Sequence, residues 1–293
     1  MMHEPATLLD LAGRPGLGQA TAALAAPGPG HFGGFFAEGS SGPCHLDVLF
    51  HRPARFGRAS PILFVMHGTK RNAAEYRDSW ATVAERYGCL VVCPMFPQHD
   101  FPRGAYQRGG VVDETGAPRP VAAWALSAVE RLFDLVRAAT GNASAGYHLY
   151  GHSAGAQFVH RLVLLLPEAR YVAAIAANAG WYTMPRFDEA YPYGLAGTGR
   201  GSADLRRVLG RRLTVLLGER DTDPEDAHLR NSRRARRQGR NRLERGTTFY
   251  AEARAAAAAL GTALGWDLVT VPGAAHFDPD MMPQAGRILF DRG

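Results

Sequence analysis

Apolar runs alternate along this chain with stretches of helical spacing, regularly enough to predict an architecture. PILFVMHG (61–68) is a continuous apolar run of the kind expected for a strand buried on both faces, and AAEYRDSWATVAERYG (73–88) behind it has helical spacing. The pair recurs. CLVVCPMFP (89–97) reads as strand and VAAWALSAVERLFDLVRAATG (121–141) as helix; YHLYG (147–151) reads as strand and AGAQFVHRLVLLLP (154–167) as helix. YVAAIAANAG (171–180), RRLTVLLGE (211–219) and WDLVTVPG (266–273) are further strands, with the alanine-rich helix FYAEARAAAAALG (249–261) before the last of them. This order predicts an α/β fold: a mostly parallel sheet with helices on both faces and its chemistry beyond the carboxyl ends of the strands.

Upstream the pattern differs. HFGGFFAEG (31–39) and CHLDVLFHRP (44–53) flank the turn-forming SSGP and predict an antiparallel pair at the sheet edge. Residues 1–30, rich in Ala, Gly and Pro without a sustained period, read as a loosely ordered arm, and residues 31–293 as a single domain. Two stretches interrupt that domain, an aromatic-rich, lid-like excursion near 181–210 and an arginine-rich insertion near 227–245.

At the end of YHLYG stands Gly151-His152-Ser153-Ala154-Gly155, a match to G-x-S-x-G in which a serine sits on a sharp strand-to-helix turn. Such a turn exposes the hydroxyl of Ser153 and puts the N–H of Ala154 at the amino end of a helix, where it favours developing negative charge. A helix-capping serine accounts for Ser153 but not for a glycine on each side. A serine hydroxyl needs a base, and the base needs a carboxylate to orient it. RRLTVLLG is followed by Glu219-Arg220-Asp221-Thr222-Asp223-Pro224, and WDLVTVPG by Ala274-Ala275-His276, so acid and base candidates each follow a strand end. The order Ser, Asp, His is the one used on α/β-hydrolase sheets. Either Asp221 or Asp223 fits; the alternative role of Asp223 is to open the turn at Pro224.

Over residues 45–290 the sequence resembles the α/β-hydrolase superfamily, on the elbow GHSAG, the acid loop GERDTDP, the histidine loop VPGAAHF and the segment MHGTKRN. Within it the chain is most similar to the polyhydroxybutyrate-depolymerase and feruloyl-esterase group of carboxylesterases, with prolyl-oligopeptidase-type domains more distant. The resemblance implies Ser153, His276 and Asp221 as the triad, since the family places its acid as G-x-x-D after the strand, with Asp223 as runner-up. It also implies the N–H of Thr69 as the second oxyanion donor beside Ala154. Here the chain departs from the HGGG form of many lipases, since only Gly68 is a glycine. The implied activity is hydrolysis of carboxylic esters through an acyl-enzyme, with no metal or organic cofactor. A peptidase or amidase with the same triad is the second reading, and a silent hydrolase-like binding protein the third.

Aromatic residues in the two loops beyond the strands suggest a substrate pocket, with Trp181 and Tyr182 first, then Tyr106, and with His152 beside the nucleophile. Charge adds one feature. Residues 227–245 hold eight arginines against one glutamate, a formal +7, while the whole chain is +6. The basicity is therefore one local stretch, read as a solvated face that can also attract an anionic small-molecule or polymeric ester, and not as a nucleic-acid surface. Cys89 and Cys93 bracket one predicted strand too far apart for a disulfide, and no cysteine pair has zinc-site spacing. No apolar run has the length of a membrane span, and the amino terminus lacks a leader-like pattern, which predicts a cytoplasmic protein, or a secreted one whose leader has been removed.

Overall fold

The computed structural model describes residues 16–39, 42–102 and 104–291. Its centre is one eight-stranded sheet, of order β1-β2-β4-β3-β5-β6-β7-β8. The strands are β1 (Gly28–Glu38), β2 (Pro43–Arg52), β3 (Ile62–Met66), β4 (Leu90–Met95), β5 (Tyr147–His152), β6 (Tyr171–Ala177), β7 (Leu213–Gly218) and β8 (Trp266–Val271). β2 pairs antiparallel with both β1 and β4, and from β4 to β8 every pairing is parallel. That is the predicted sheet with its antiparallel amino-terminal edge.

The apolar runs are continuous because the sheet is covered twice. Ile62, Phe64 and Met66 of β3, with Leu90 and Val92 of β4, belong to one core. Leu63 and Val65, with Val91 and Cys93, belong to the other. Alternate side chains point to opposite faces of a strand, so both sets must be apolar. Helices α2 (Ala73–Tyr87) and α8 (Asp278–Phe290) pack on the second core. The first core is covered by α1 (Leu17–Ala23), α3 (Ala128–Thr140), α4 (Ala154–Leu165), α5 (Ser202–Leu209) and α7 (Arg242–Ala259), while the short α6 (Arg233–Gln238) precedes α7. Every residue of α4 is buried, including Gln157, His160 and Arg161.

Three stretches differ from expectation. Of the arm expected over 1–30, residues 1–15 lie outside the described residues, whereas α1 and the start of β1 occupy the rest; Ala20 and Leu24 dock into the first core. The helix expected over 121–141 begins only at Ala128, because Trp124 is extended at φ −77°, ψ 138° with its indole donating to the Arg119 carbonyl at 2.9 Å. Helix α8 interrupts its spacing with Pro283 and carried no clear signal.

Candidate active site

The chain turns most sharply at the end of β5. Ser153 has φ 55° and ψ −110°, a conformation that residues with side chains adopt only under constraint. A Cβ on Gly155 would lie 1.9 Å from the Met66 carbonyl oxygen, and one on Gly151 would lie 2.3 Å from that of Gly155, so glycine alone fits on either flank. The Ser153 N–H donates to Ala177 O at 2.9 Å and fastens the turn to β6.

From this turn a line of side chains runs across three strand ends. Ser153 Oγ lies 3.0 Å from His276 Nε2, and His276 Nδ1 lies 2.7 Å from Asp221 Oδ2. A carboxylate on Nδ1 fixes the neutral tautomer with its proton there, which leaves the Nε2 lone pair to accept from the hydroxyl. Asp221 is buried. Its second oxygen, Oδ1, accepts from Arg242 Nη1 at 3.3 Å, while Nη2 of the same guanidinium donates to Asp226 Oδ1 at 3.0 Å. Asp223 is exposed, and its Oδ1 accepts from the Glu225 N–H at 2.9 Å, the turn-opening role that was its alternative.

Arg242 changes the picture of the arginine-rich stretch, which sequence alone presents as a solvated face. Arg242 and Arg245 are each 1% exposed. The start of α7 lies against the acid loop, with the Leu243 N–H donating to Asp221 O, and Arg245 donates to the carbonyls of Gly239 and Gly180. Asn178 was also missed. In the left-handed region at φ 51°, which asparagine tolerates, it accepts from the Gly218 N–H at 2.8 Å and donates to Ala275 O at 3.2 Å. It therefore ties the loop carrying His276 to the end of β7.

On the other side of Ser153, Thr69 follows β3 on a loop fixed from behind. His67 Nε2 accepts from the Phe96 N–H at 3.1 Å, so its Nδ1–H donates to Gly68 O at 3.0 Å. Burial holds the His67 imidazole down at about 3, with the Arg71 charge adding to the effect. Among the described residues, no backbone carbonyl in the turns and caps accepts from the N–H of Thr69 or of Ala154.

The expected pocket residues separate into two groups. Trp181 and His152 line clefts that meet at Ser153. Tyr182 and Tyr106 are fully buried. Tyr182 stacks on Phe249 at 4.4 Å, and Tyr106 donates to His67 O at 2.7 Å beneath the Thr69 loop, so both support the site from within the core. Their spacing from the strands resembled that of a pocket, but the apolar face of α7 and the loop after β3 claim them. His152 Nδ1 lies 3.2 Å from the Tyr76 hydroxyl, and burial, then the neighbouring His276, keeps its imidazole well below the ordinary histidine range.

The first cleft, about 390 Å³, includes Thr69, Gln157, Trp181, Arg230 and Arg242 in its wall. The second, about 560 Å³, includes Glu75, His152, His276, Phe277 and Asp278. Asp278 begins α8, and its Oδ1 accepts from the Tyr150 hydroxyl at 2.6 Å. Burial raises its carboxyl from 3.8 to about 6 in spite of that bond. Since the folded value exceeds the unfolded one, the penalty is absent below the unfolded value, grows between the two and is complete above the folded one. Asp278→Asn is expected to raise unfolding stability by about 2 kcal/mol in urea at neutral to alkaline pH, a full shift being worth about 3 and the helix amino terminus offsetting part. Near the unfolded value the gain should vanish. A gain of the same size at both ends would assign the effect to packing.

No protein-family model and no curated protein sequence matches the chain. Solved structures do. Poly(aspartic acid) hydrolase-1 from Sphingomonas sp. KT-1 is 42% identical at a TM-score of 0.86, over 89% of this chain and 98% of that one. LpqC, a poly(3-hydroxybutyrate) depolymerase from Bordetella parapertussis, is 33% identical at a TM-score of 0.88, over 96% and 95%. An S-formylglutathione hydrolase from Agrobacterium tumefaciens, 18% identical at a TM-score of 0.53 over 90% and 95%, shares the fold. With two relatives above 30% identity aligned along nearly all of both chains, a mostly parallel sheet and a serine elbow at its strand ends, the protein belongs to the α/β-hydrolase superfamily, among its esterase-type hydrolases.

Proposed function

We propose that the protein is a serine hydrolase that cleaves carboxylic esters by way of an acyl-enzyme. The observation that carries this reading is the hydrogen-bonded line from Ser153 Oγ through His276 to Asp221. In this mechanism Ser153 Oγ attacks the carbonyl carbon as its proton passes to His276 Nε2, and Asp221 holds the imidazolium that results. The carbonyl oxygen, now an oxyanion, takes hydrogen bonds from the N–H groups of Thr69 and Ala154. His276 then returns the proton to the leaving alcohol. Water, deprotonated by the same Nε2, attacks the acyl-enzyme, and as the acid is released His276 returns that proton to Ser153 Oγ.

The two clefts acquire roles from that proton transfer. A leaving group must be within reach of His276 Nε2, so it occupies the cleft whose wall includes His276 and Phe277. The acyl part then occupies the cleft of Trp181 and Arg230.

Amide hydrolysis with the same groups is the second reading. It is favoured by the 42% identity to a hydrolase of poly(aspartic acid), a chain joined by amide bonds, whereas the relative at 33% is named for a polyester. Labelling with a fluorophosphonate, followed by mapping of the adduct, tests the nucleophile, which is expected to be Ser153. Turnover of p-nitrophenyl esters against p-nitroanilides then separates the readings. An adduct on another residue, or none with the folded protein, would remove both.

A further inference from the structure

We infer that Arg230 forms a carboxylate-binding subsite on the acyl side of Ser153, which selects acyl groups that end in a carboxylate. This rests on the serine hydrolase reading above and deepens it. The two clefts differ in charge. No Asp or Glu lines the cleft of Trp181, whose wall contains Arg230 and Arg242, whereas the leaving-group cleft contains Glu75, Asp78 and Asp278 with the single cation Lys70. Arg242 is already neutralised, since its two terminal nitrogens are given to Asp221 and Asp226. Arg230 is not. Among the described residues no carboxylate lies within ion-pair distance of it.

Its orientation is fixed by uncharged groups. Arg230 Nε donates to the Tyr193 hydroxyl at 2.8 Å, and that hydroxyl is itself 2.6 Å from Ser232 Oγ. The guanidinium lies 5.2 Å from the ring centroid of Trp181, which is 3% exposed and has the buried Arg161 at 4.2 Å. With Nε engaged and one face on an indole, the two Nη groups remain as a fork of donors, the geometry that suits a carboxylate bidentately. A freely solvated surface arginine has neither restraint. The arginines of α6, exposed like Arg230, do not line this cleft.

Size sets the spacing. A cleft of about 390 Å³ has the volume of a sphere about 9 Å across. Ser153 and Arg230 line this same cleft, so the subsite is proposed to take an acyl chain of a few carbons that ends in a carboxylate. Monoesters of short dicarboxylic acids, or acid-bearing units of a polymer, meet that description.

The test compares two esters of equal length that differ in one charge, mono-p-nitrophenyl adipate and its methyl ester, methyl p-nitrophenyl adipate. Arg230→Gln is expected to lower kcat/KM for the acid about 10- to 50-fold while changing it less than twofold for the methyl ester. Arg230→Lys, which keeps the charge but not the fork, should fall between. A second measurement needs no turnover: monomethyl adipate should bind Ser153→Ala by calorimetry and bind the Ser153→Ala/Arg230→Gln protein at least tenfold more weakly. Equal losses for both esters, or no change for either, would overturn the subsite while leaving the hydrolase reading intact. If wild type cleaves neither ester, the hydrolase reading fails by itself and the calorimetry still decides the subsite.

Discussion

Alanine at Ser153, or at His276, is expected to lower kcat for ester hydrolysis by roughly 10⁴ to 10⁶, since in the proposed mechanism nucleophile and base act in one proton-coupled step. The double variant should lose scarcely more than either single one, because each removes the same step. What then remains is the electrostatic help of the proposed oxyanion donors, the Thr69 and Ala154 N–H groups, which neither substitution touches. The fold should not respond. The turn is held by the glycines at 151 and 155 and by the bond to Ala177 O. An Ser153→Ala protein with an unchanged circular-dichroism spectrum and more than a tenth of the wild-type rate would reject the assignment.

The sheet and the line of candidate residues were legible for one reason: each rests on a local signal. β3 and β4 are buried on both faces, so their apolar runs are unbroken and stand out. Ser153 directly follows β5, Asp221 and His276 come three and five residues after the ends of β7 and β8, and their chain order narrows the fold further. The relatives, one of them a poly(3-hydroxybutyrate) depolymerase, agree with the family that these motifs suggested.

What escaped the sequence depends on contacts between distant segments. Arg242 is one of eight similar arginines, and nothing local marks it as the one that α7 carries back to the acid loop. Asn178 does its work through carbonyl and N–H groups of two other strand ends, and its only local mark is an asparagine directly after a strand. Tyr182 and Tyr106 were predicted at the surface of a pocket because their loops lie beyond the strands. Helix α7 supplies Phe249 to the first and the β3 loop supplies His67 to the second, which turns both rings inward.

The choice between the two acidic candidates is the sharpest remaining expectation: Asp221→Asn should cost about 10⁴ in kcat, in keeping with the loss of a triad carboxylate in serine proteases, and Asp223→Asn less than twofold. The structure gives a reason for the first beyond lost charge. Arg242 can only donate, so the side of residue 221 that faces it must accept. An amide there is forced to turn its oxygen to Arg242 and its NH₂ to His276. That would make His276 Nδ1 an acceptor, move the ring proton to Nε2 and leave Ser153 Oγ without a base. Asp223, exposed and accepting from the Glu225 N–H, keeps its turn as asparagine because the amide oxygen accepts equally well. Initial rates of both variants on one p-nitrophenyl ester decide the matter. A larger loss at Asp223 would transfer the role to it, and small losses at both would point to a carboxylate outside the line.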